Sequence, residues 1–373
     1  MSVIIYMNQN KKQKYIIKTI VIILLFTNIC ITQHQHQHNE AEGIAQNPEL
    51  EQYLDQMSDT GFAFSVLVAK DDKIIHMKGY GWADSLKTIK TNERTLFNIA
   101  SITKSFTSVV IFWLRDKGAL ALDDKLPKFF INVPKEKQSI TVAQLLTHTS
   151  GLGQNYAADG ITNRDSAVRQ ILKDKLKFKS GKDFSYSNEN YELLGAIIEI
   201  LTRQNYEDVL RRLIWNQASI TDTKFWGETQ GADQQIIAEK NRVLDAAALS
   251  RNWGYIASGG IYSNVTDLYR WFIALRKGVF IEPKSLEQMW TVQKKLSETG
   301  VAYGWFVSSS EWGKEIWTRG TEDWGHNGVL RWFPERNVVI IVLSNSGELG
   351  DKNITANRFI SDGIAKIVFK KTK

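Results

Sequence analysis

The chain of 373 residues contains one cysteine, Cys30, so no disulfide can form within it whatever compartment it occupies. Its body must be held together by packing and polar contacts alone. A concentrated basic face is also missing. The formal charge of +7 comes from Lys11, Lys12, Lys14 and Lys18 near the start and Lys366, Lys370, Lys371 and Lys373 at the end; without these lysines residues 33–365 carry about −1. No nucleic-acid partner is expected. No internal repeat is found, and no G-x-S-x-G elbow is present, which argues against a Ser-His-Asp hydrolase built on His148 or His326 with Asp323. The apolar run TIVIILLFTNI (19–29) is too short for a comfortable membrane span.

That run follows a lysine cluster, and the pair reads as an export leader over 1–32, either a signal peptide or an uncleaved anchor. Ile29 is bulky for the residue before a lipoprotein cysteine, and no A-x-A triplet follows. The expected location is outside the cytoplasm: periplasmic, secreted, or attached to the membrane through this segment. Residues 33–46 form a polar spacer, and its HQHQH run, His34 to His38, reads as solvated rather than metal-binding. No metal and no cofactor is expected.

From residue 47 the periodicity supports one domain to 373. A helix is expected at 47–57, a hairpin from FAFSVLVAK (62–70) and KIIHMKGYGWA (73–83) turned by Asp71 and Asp72, and a buried helix at 101–117. Residues 119–251 are rich in helical patterns, and strands return at 303–309, 314–320, 329–333 and 337–345 before a closing helix at 353–369. The expected fold is α+β: an antiparallel sheet, built from about 47–118 and 252–373, flanked by helices and carrying an inserted mainly α-helical subdomain at 119–251.

Chemistry enters with Ser101 and Lys104. Residues three apart share a helix face, so the amine can touch the hydroxyl, and burial disfavours the ammonium form, which makes Lys104 a proton acceptor for Ser101. By chance about two S-x-x-K spacings are expected in this composition, and one occurs, so context must carry the inference. Lys104 is the only charged side chain between Arg94 and Arg115. In FSYSNEN, Tyr186 and Asn188 lie two apart, and an extended Y-x-N turns a phenol and an amide to one side. The same triplet at Tyr262 reads as structural, with Asn264 capping the next helix and Asp267 as its partner. GHNG places His326 and Gly328 at the head of the strand VLRWF.

ASITK, LLTHTSGL, YSNENYELLGAIIE, SGGIYSNVTDL and GHNG, in this order, resemble the penicillin-recognising serine hydrolases, in particular the class C β-lactamase-type branch with its D-alanyl-D-alanine carboxypeptidases, D-aminopeptidases and esterases. The resemblance covers about residues 62–369. It implies Ser101 as acylated nucleophile, Lys104 and Tyr186 as the proton-transfer pair, and Asn188, His326 and Gly328 as substrate-binding residues. It also implies an oxyanion hole from the backbone N–H groups of Ser101 and Val329, and a structural role for the HTSGL segment around His148.

β-Lactamases of this branch usually carry lysine where His326 is matched. Histidine there points to hydrolysis of a peptide, amide or ester rather than to efficient β-lactam turnover. The expected substrate is a small molecule or a peptide such as a cell-wall peptide. Two alternatives stay open: a catalytically idle protein that binds cell-wall peptides or a partner, and a genuine β-lactamase. Trp253, Trp305, Trp324 and Trp332 are candidate pocket-wall aromatics, though core packing explains them equally well.

Overall fold

In the computed structural model, which describes residues 47–84, 86–225, 228, 252–322, 325–345, 348–349 and 354–370, Val66, Leu67, Val68 and Ala69 are all buried. The strand carrying them must therefore be covered on both faces. The leader, the spacer with its histidine run, Cys30, residues 229–251 of the helical part, Asp323 and Trp324 lie outside the described residues. Among those described, no helix is long and apolar enough to cross a membrane.

The first helix, α1 (Pro48–Asp59), opens on Asn47, whose Oδ1 accepts from Leu50 N at 3.1 Å. Strands β1 (Phe64–Lys70) and β2 (Lys73–Tyr80) form the expected hairpin. Asp71 and Asp72 both adopt positive φ, 51° and 63°, the conformation a two-residue turn between twisted strands demands. After the two-residue β3 (Phe97–Asn98), a single 3-10 turn at Ala100–Ile102 leads into α2 (Thr103–Asp116), which is buried nearly all round.

Helices Val142–Leu146, Arg164–Lys173 and α3 (Asn188–Thr202) build the helical part. Short strands β4 (Lys224–Phe225) and β5 (Ile261–Ser263) join β3 in a small sheet of order β3-β5-β4, and α4 (Val265–Arg276) follows. Asn264 caps α4 as expected, its Oδ1 accepting from Asp267 N at 2.8 Å. The Asp267 carboxylate, however, turns away to accept from the N–H groups of Asp222 and Thr223, so it staples the loop before β4 instead of completing a capping box.

The rest of the chain supplies β6 (Lys294–Leu296), β7 (Thr299–Val301), β8 (Phe306–Ser310), β9 (Gly313–Thr321), β10 (Asn327–Phe333), β11 (Val338–Ser344) and the closing helix α5 (Ala356–Val368). The main sheet is antiparallel throughout, in the order β2-β1-β11-β10-β9-β8-β7-β6. The C-terminal strands thus complete the sheet begun by the N-terminal hairpin. Strands β6 and β7 were not anticipated, because KKLSETGV is short, polar and without alternation. Alternate residues of β11 face opposite layers: Val338, Ile340 and Val342 pack with α1 and α5, while Val339, Ile341 and Leu343 pack towards α2.

One charged cluster lies inside this framework. Arg331 on β10 is fully buried and donates to both Glu315 oxygens, at 2.7 and 3.0 Å, and to Asp362 Oδ1 on α5 at 2.7 Å; Arg358 also reaches Glu315, at 3.2 Å. It ties β9, β10 and α5 together. Removing one member strands a buried charge, so Glu315→Ala is expected to cost about 3–5 kcal/mol of unfolding free energy in urea titrations. The paired change Arg331→Met with Glu315→Leu should restore most of it; equal losses in the single and double variants would count against this role.

Candidate active site

Ser101 sits in the 3-10 turn before α2, directly after Ala100, which holds a left-handed φ of +47°. That conformation costs a non-glycine residue of order 1 kcal/mol or more and persists only where its surroundings fix it. Here Asn98 Oδ1 accepts from Ala100 N at 2.6 Å, and Ile99 N donates to Ile261 O of β5 at 3.0 Å. The small sheet therefore braces the turn that presents the hydroxyl.

Lys104, one turn on and only 3% exposed, places Nζ 2.9 Å from Ser101 Oγ, 2.8 Å from Asn188 Oδ1 and 2.7 Å from Ser258 O. The amide and carbonyl oxygens accept only, so they fix two N–H bonds of the amine. The remaining tetrahedral direction points at Ser101. An ammonium donates along it; a neutral amine turns its lone pair to the serine O–H. Tyr186 and Asn188 both face this amine, with Nζ 5.1 Å from the Tyr186 ring centre, while the intervening Ser187 turns the other way to Gly153 O and Glu189. Ser101, Lys104, Tyr186 and Asn188 are thus gathered at one point.

Behind them Glu192 is buried on α3, and burial, reinforced by Glu189, pushes its carboxyl well above the usual range. It supplies no ready counter-charge to Lys104.

The narrow cleft over Ser101 has Tyr186 and His148 on one wall and Leu146, Trp305, Thr318 and Arg319 among its other lining residues. A larger hollow of about 980 Å³ lies at Arg164, Glu199 and Arg203, with no serine or lysine in its lining. Size alone does not locate the chemistry.

Strand β9, not β10, borders the cleft, and this corrects the expectation for His326, Gly328 and Val329. Val329 is fully buried between Arg319 of β9 and Val342 of β11, so its N–H is committed to a sheet ladder on one side or the other. Gly328 lies beneath the nucleophile turn: a Cβ there would sit 3.1 Å from Ile102 Cδ1. His326, 4% exposed, is absent from the cleft lining, and its Nδ1 accepts from Asn98 N at 3.2 Å. It braces the residue that braces Ala100. Of the anticipated aromatics, Trp305 lines the cleft; Trp253 is tied to Glu199, and Trp332 packs against Phe272 and Trp290.

The residues the sequence did not single out are Thr318, Arg319 and Gly320. Strand β8 stops pairing at Phe306 opposite Trp317, which leaves β9 from Thr318 onward with an open edge beside Ser101. A Cβ on Gly320 would lie 2.2 Å from Ile99 O and 2.6 Å from Ser101 N. Only glycine permits this approach. The signal was the glycine ending TRG, one strand before the PERN hairpin that buries β10. Arg319 forms no ion pair with any described carboxylate; burial and the neighbouring Arg358 cation lower its pKa.

These features define a serine-nucleophile hydrolase architecture of the penicillin-recognising type. The Beta-lactamase family profile matches residues 50–364, and the chain belongs to that family. It is 30% identical over 299 residues to Protein flp of Staphylococcus aureus (strain MRSA252), with 75% of this chain and 59% of flp aligned, so it spans well under two thirds of that relative. Among solved structures, the octameric penicillin-binding protein homologue from Pyrococcus abyssi superposes with a TM-score of 0.74 at 25% identity, covering 87% of this chain and 77% of that one. D-amino acid amidase from Ochrobactrum anthropi SV3 gives 0.73 at 22%, covering 86% and 99%.

Two expectations follow. Gly320→Ala must displace backbone at Ile99 and Ser101, and a misplacement of about 1 Å is worth roughly 10²-fold in rate; kcat of the folded variant should fall by that order, with a lowered melting temperature because backbone has to move, and unchanged kcat would refute the contact. His148 is held near pKa 3 rather than 6.5, by burial first and the Lys104 charge second. The unfolded chain takes up this proton below about pH 6.5 and the folded chain does not until about 3, so stability is full above 6.5. It then falls by up to about 1.4 kcal/mol per pH unit as pH drops through that window. Urea unfolding from pH 7.5 to 4 should show a smaller slope in His148→Asn than in the parent; equal slopes would exclude the contribution.

Proposed function

We propose that the chain is an acyl-enzyme-forming serine hydrolase that cleaves a peptide, amide or ester bond. The observation that carries this reading is the three-point hold on Lys104, which aims the amine at Ser101 Oγ. Ser101 Oγ bonds to the acyl carbon, its proton passes to the Lys104 and Tyr186 pair and on to the leaving group, and the bond from the acyl carbon to that group breaks. A water then attacks the acyl-enzyme and gives its proton to the same pair, which returns it to Ser101 Oγ as the ester bond breaks and the acid departs. Which of the two groups takes the first proton belongs to the pair, not to either residue. The oxyanion is met by Ser101 N–H together with the open edge of β9, in place of Val329.

The preference for peptides and esters over lactams no longer rests on His326. The cation lining the cleft beside Tyr186 is Arg319, and it takes over the substrate question. Among structural neighbours, the amidase is described with D-phenylalanine and also with L-phenylalanine and its amide, and the neighbour SurE with D-Leu, which supports including acyl groups of both configurations among the trial substrates. Export through residues 1–32, with a cell-wall peptide as natural substrate, is part of the same proposal.

Intact-mass measurement after incubation with a fluorophosphonate should show one adduct, absent in Ser101→Ala. Lys104→Ala should lower kcat by about 10²–10⁴-fold on whichever of p-nitrophenyl esters, D-amino-acid amides, D-alanyl-D-alanine peptides or nitrocefin the protein turns over. An adduct that survives Ser101→Ala would sink the assignment.

A further inference from the structure

His148 holds Tyr186 by one ring contact and grips the residue on each side of it. Its carbonyl oxygen accepts from Ser185 N at 3.0 Å, its Nδ1 accepts from Ser187 N at 3.2 Å, and its ring lies against the Tyr186 ring with centres 4.3 Å apart and planes 26° from parallel. The residues on either side of Tyr186, and the phenol ring itself, are therefore all held by one side chain and its own backbone. We infer that His148 is a positioning residue that clamps Tyr186 over Lys104 and sets its reach to the reacting atoms. The inference rests on the hydrolase reading above.

The clamp is itself fixed. His148 adopts a left-handed φ of +57°, which histidine, like asparagine, enters more readily than most side chains, and it is 4% exposed. Ser150 Oγ donates to Asn190 Oδ1 at 2.6 Å, which leaves the Asn190 amino group 3.3 Å from His148 Nδ1. Two N–H groups thus converge on Nδ1, and the ring proton is assigned to Nε2. Phe184 meets the imidazole edge-on and Tyr191 tilts against it, so the ring has no freedom to swing away from Tyr186. A histidine needed only for packing would not require both flanking hydrogen bonds, and here the two bonds and the ring stack converge on the segment that carries one catalytic side chain.

A double-mutant cycle separates positioning from general stability. Asparagine tolerates the left-handed backbone and keeps the carbonyl contact to Ser185, but it removes the stacked ring. His148→Asn should lower kcat by about 10–100-fold with KM changed less than threefold. In a Tyr186→Phe background, where the phenol is already gone, the same substitution should change kcat by less than twofold. Asn190→Ala, which removes the amide at Nδ1 together with its bonds to Ser150 and Ser187 O but leaves the ring stack and both flanking N–H bonds in place, should show the same pattern with a smaller loss and serves if His148→Asn does not fold.

Losses that multiply across the two backgrounds would overturn the inference, as would an unchanged kcat in the single variants. Fluorophosphonate labelling of the parent is run alongside. A labelled parent with no coupling defeats the clamp alone, whereas an unlabelled parent defeats the hydrolase reading beneath it.

Discussion

A primary amine taken out of water with no carboxylate to meet it is the constraint around which the rest of the structure is arranged. Lys104 finds three neutral oxygens, one from its own turn, one from the start of α3 and one from the backbone at Ser258. Each must be delivered by a different part of the chain. The buried helix α2 carries the amine, the helical part delivers Asn188, and the segment leading into β5 delivers the carbonyl. The three acceptors satisfy the amine's hydrogen-bonding capacity in place of water. Glu192, buried on the same helix as Asn188, has its carboxyl pushed well above the usual range by burial.

Of the ten described non-glycine residues with positive φ, two stand next to the reacting groups. Ala100, beside the nucleophile, and His148, beside Tyr186, both hold left-handed backbone without being glycine. Each is locked by hydrogen bonds from a neighbour distant in sequence or in an adjacent loop: Ala100 through Asn98 and ultimately His326, His148 through Ser185 and Ser187. These bonds hold the backbone that aims the hydroxyl and the phenol ring, and rigid packing around them keeps the geometry single-valued.

Local periodicity explains what could be read in advance. Ser101 with Lys104 and Tyr186 with Asn188 are separated by three and two residues, and helix and strand geometry carries such spacings directly into space. The antiparallel sheet, the Asp71-Asp72 hairpin and the buried helix follow from the same regularities. The third wall of the cleft does not. GHNG and TRG both end in glycine at a strand terminus, and only the partner order decides which of them meets Ser101. β10 is paired along its length between β11 and β9, whereas β9 loses its β8 partner after Trp317 and leaves its last residues open towards Ser101. That is a long-range fact with no local signature. The grip on Tyr186 was hidden for the same reason, since HTSGL looks like a structural segment until the loop at 184–187 closes on it.

Strand β9 belongs to two systems at once. Glu315, near its beginning, is sealed in the arginine cluster that pins α5, and Gly320, five residues later, presses on the nucleophile turn. An extended strand rises about 3.3 Å per residue, so durability and reactivity stand roughly 17 Å apart on one stiff rod. Drift in sequence at either end is then felt at the other. Lineages that remodel the cleft by altering this strand must do so within the tolerance of the ion cluster, and those that harden the framework inherit limits on how the cleft can be reshaped.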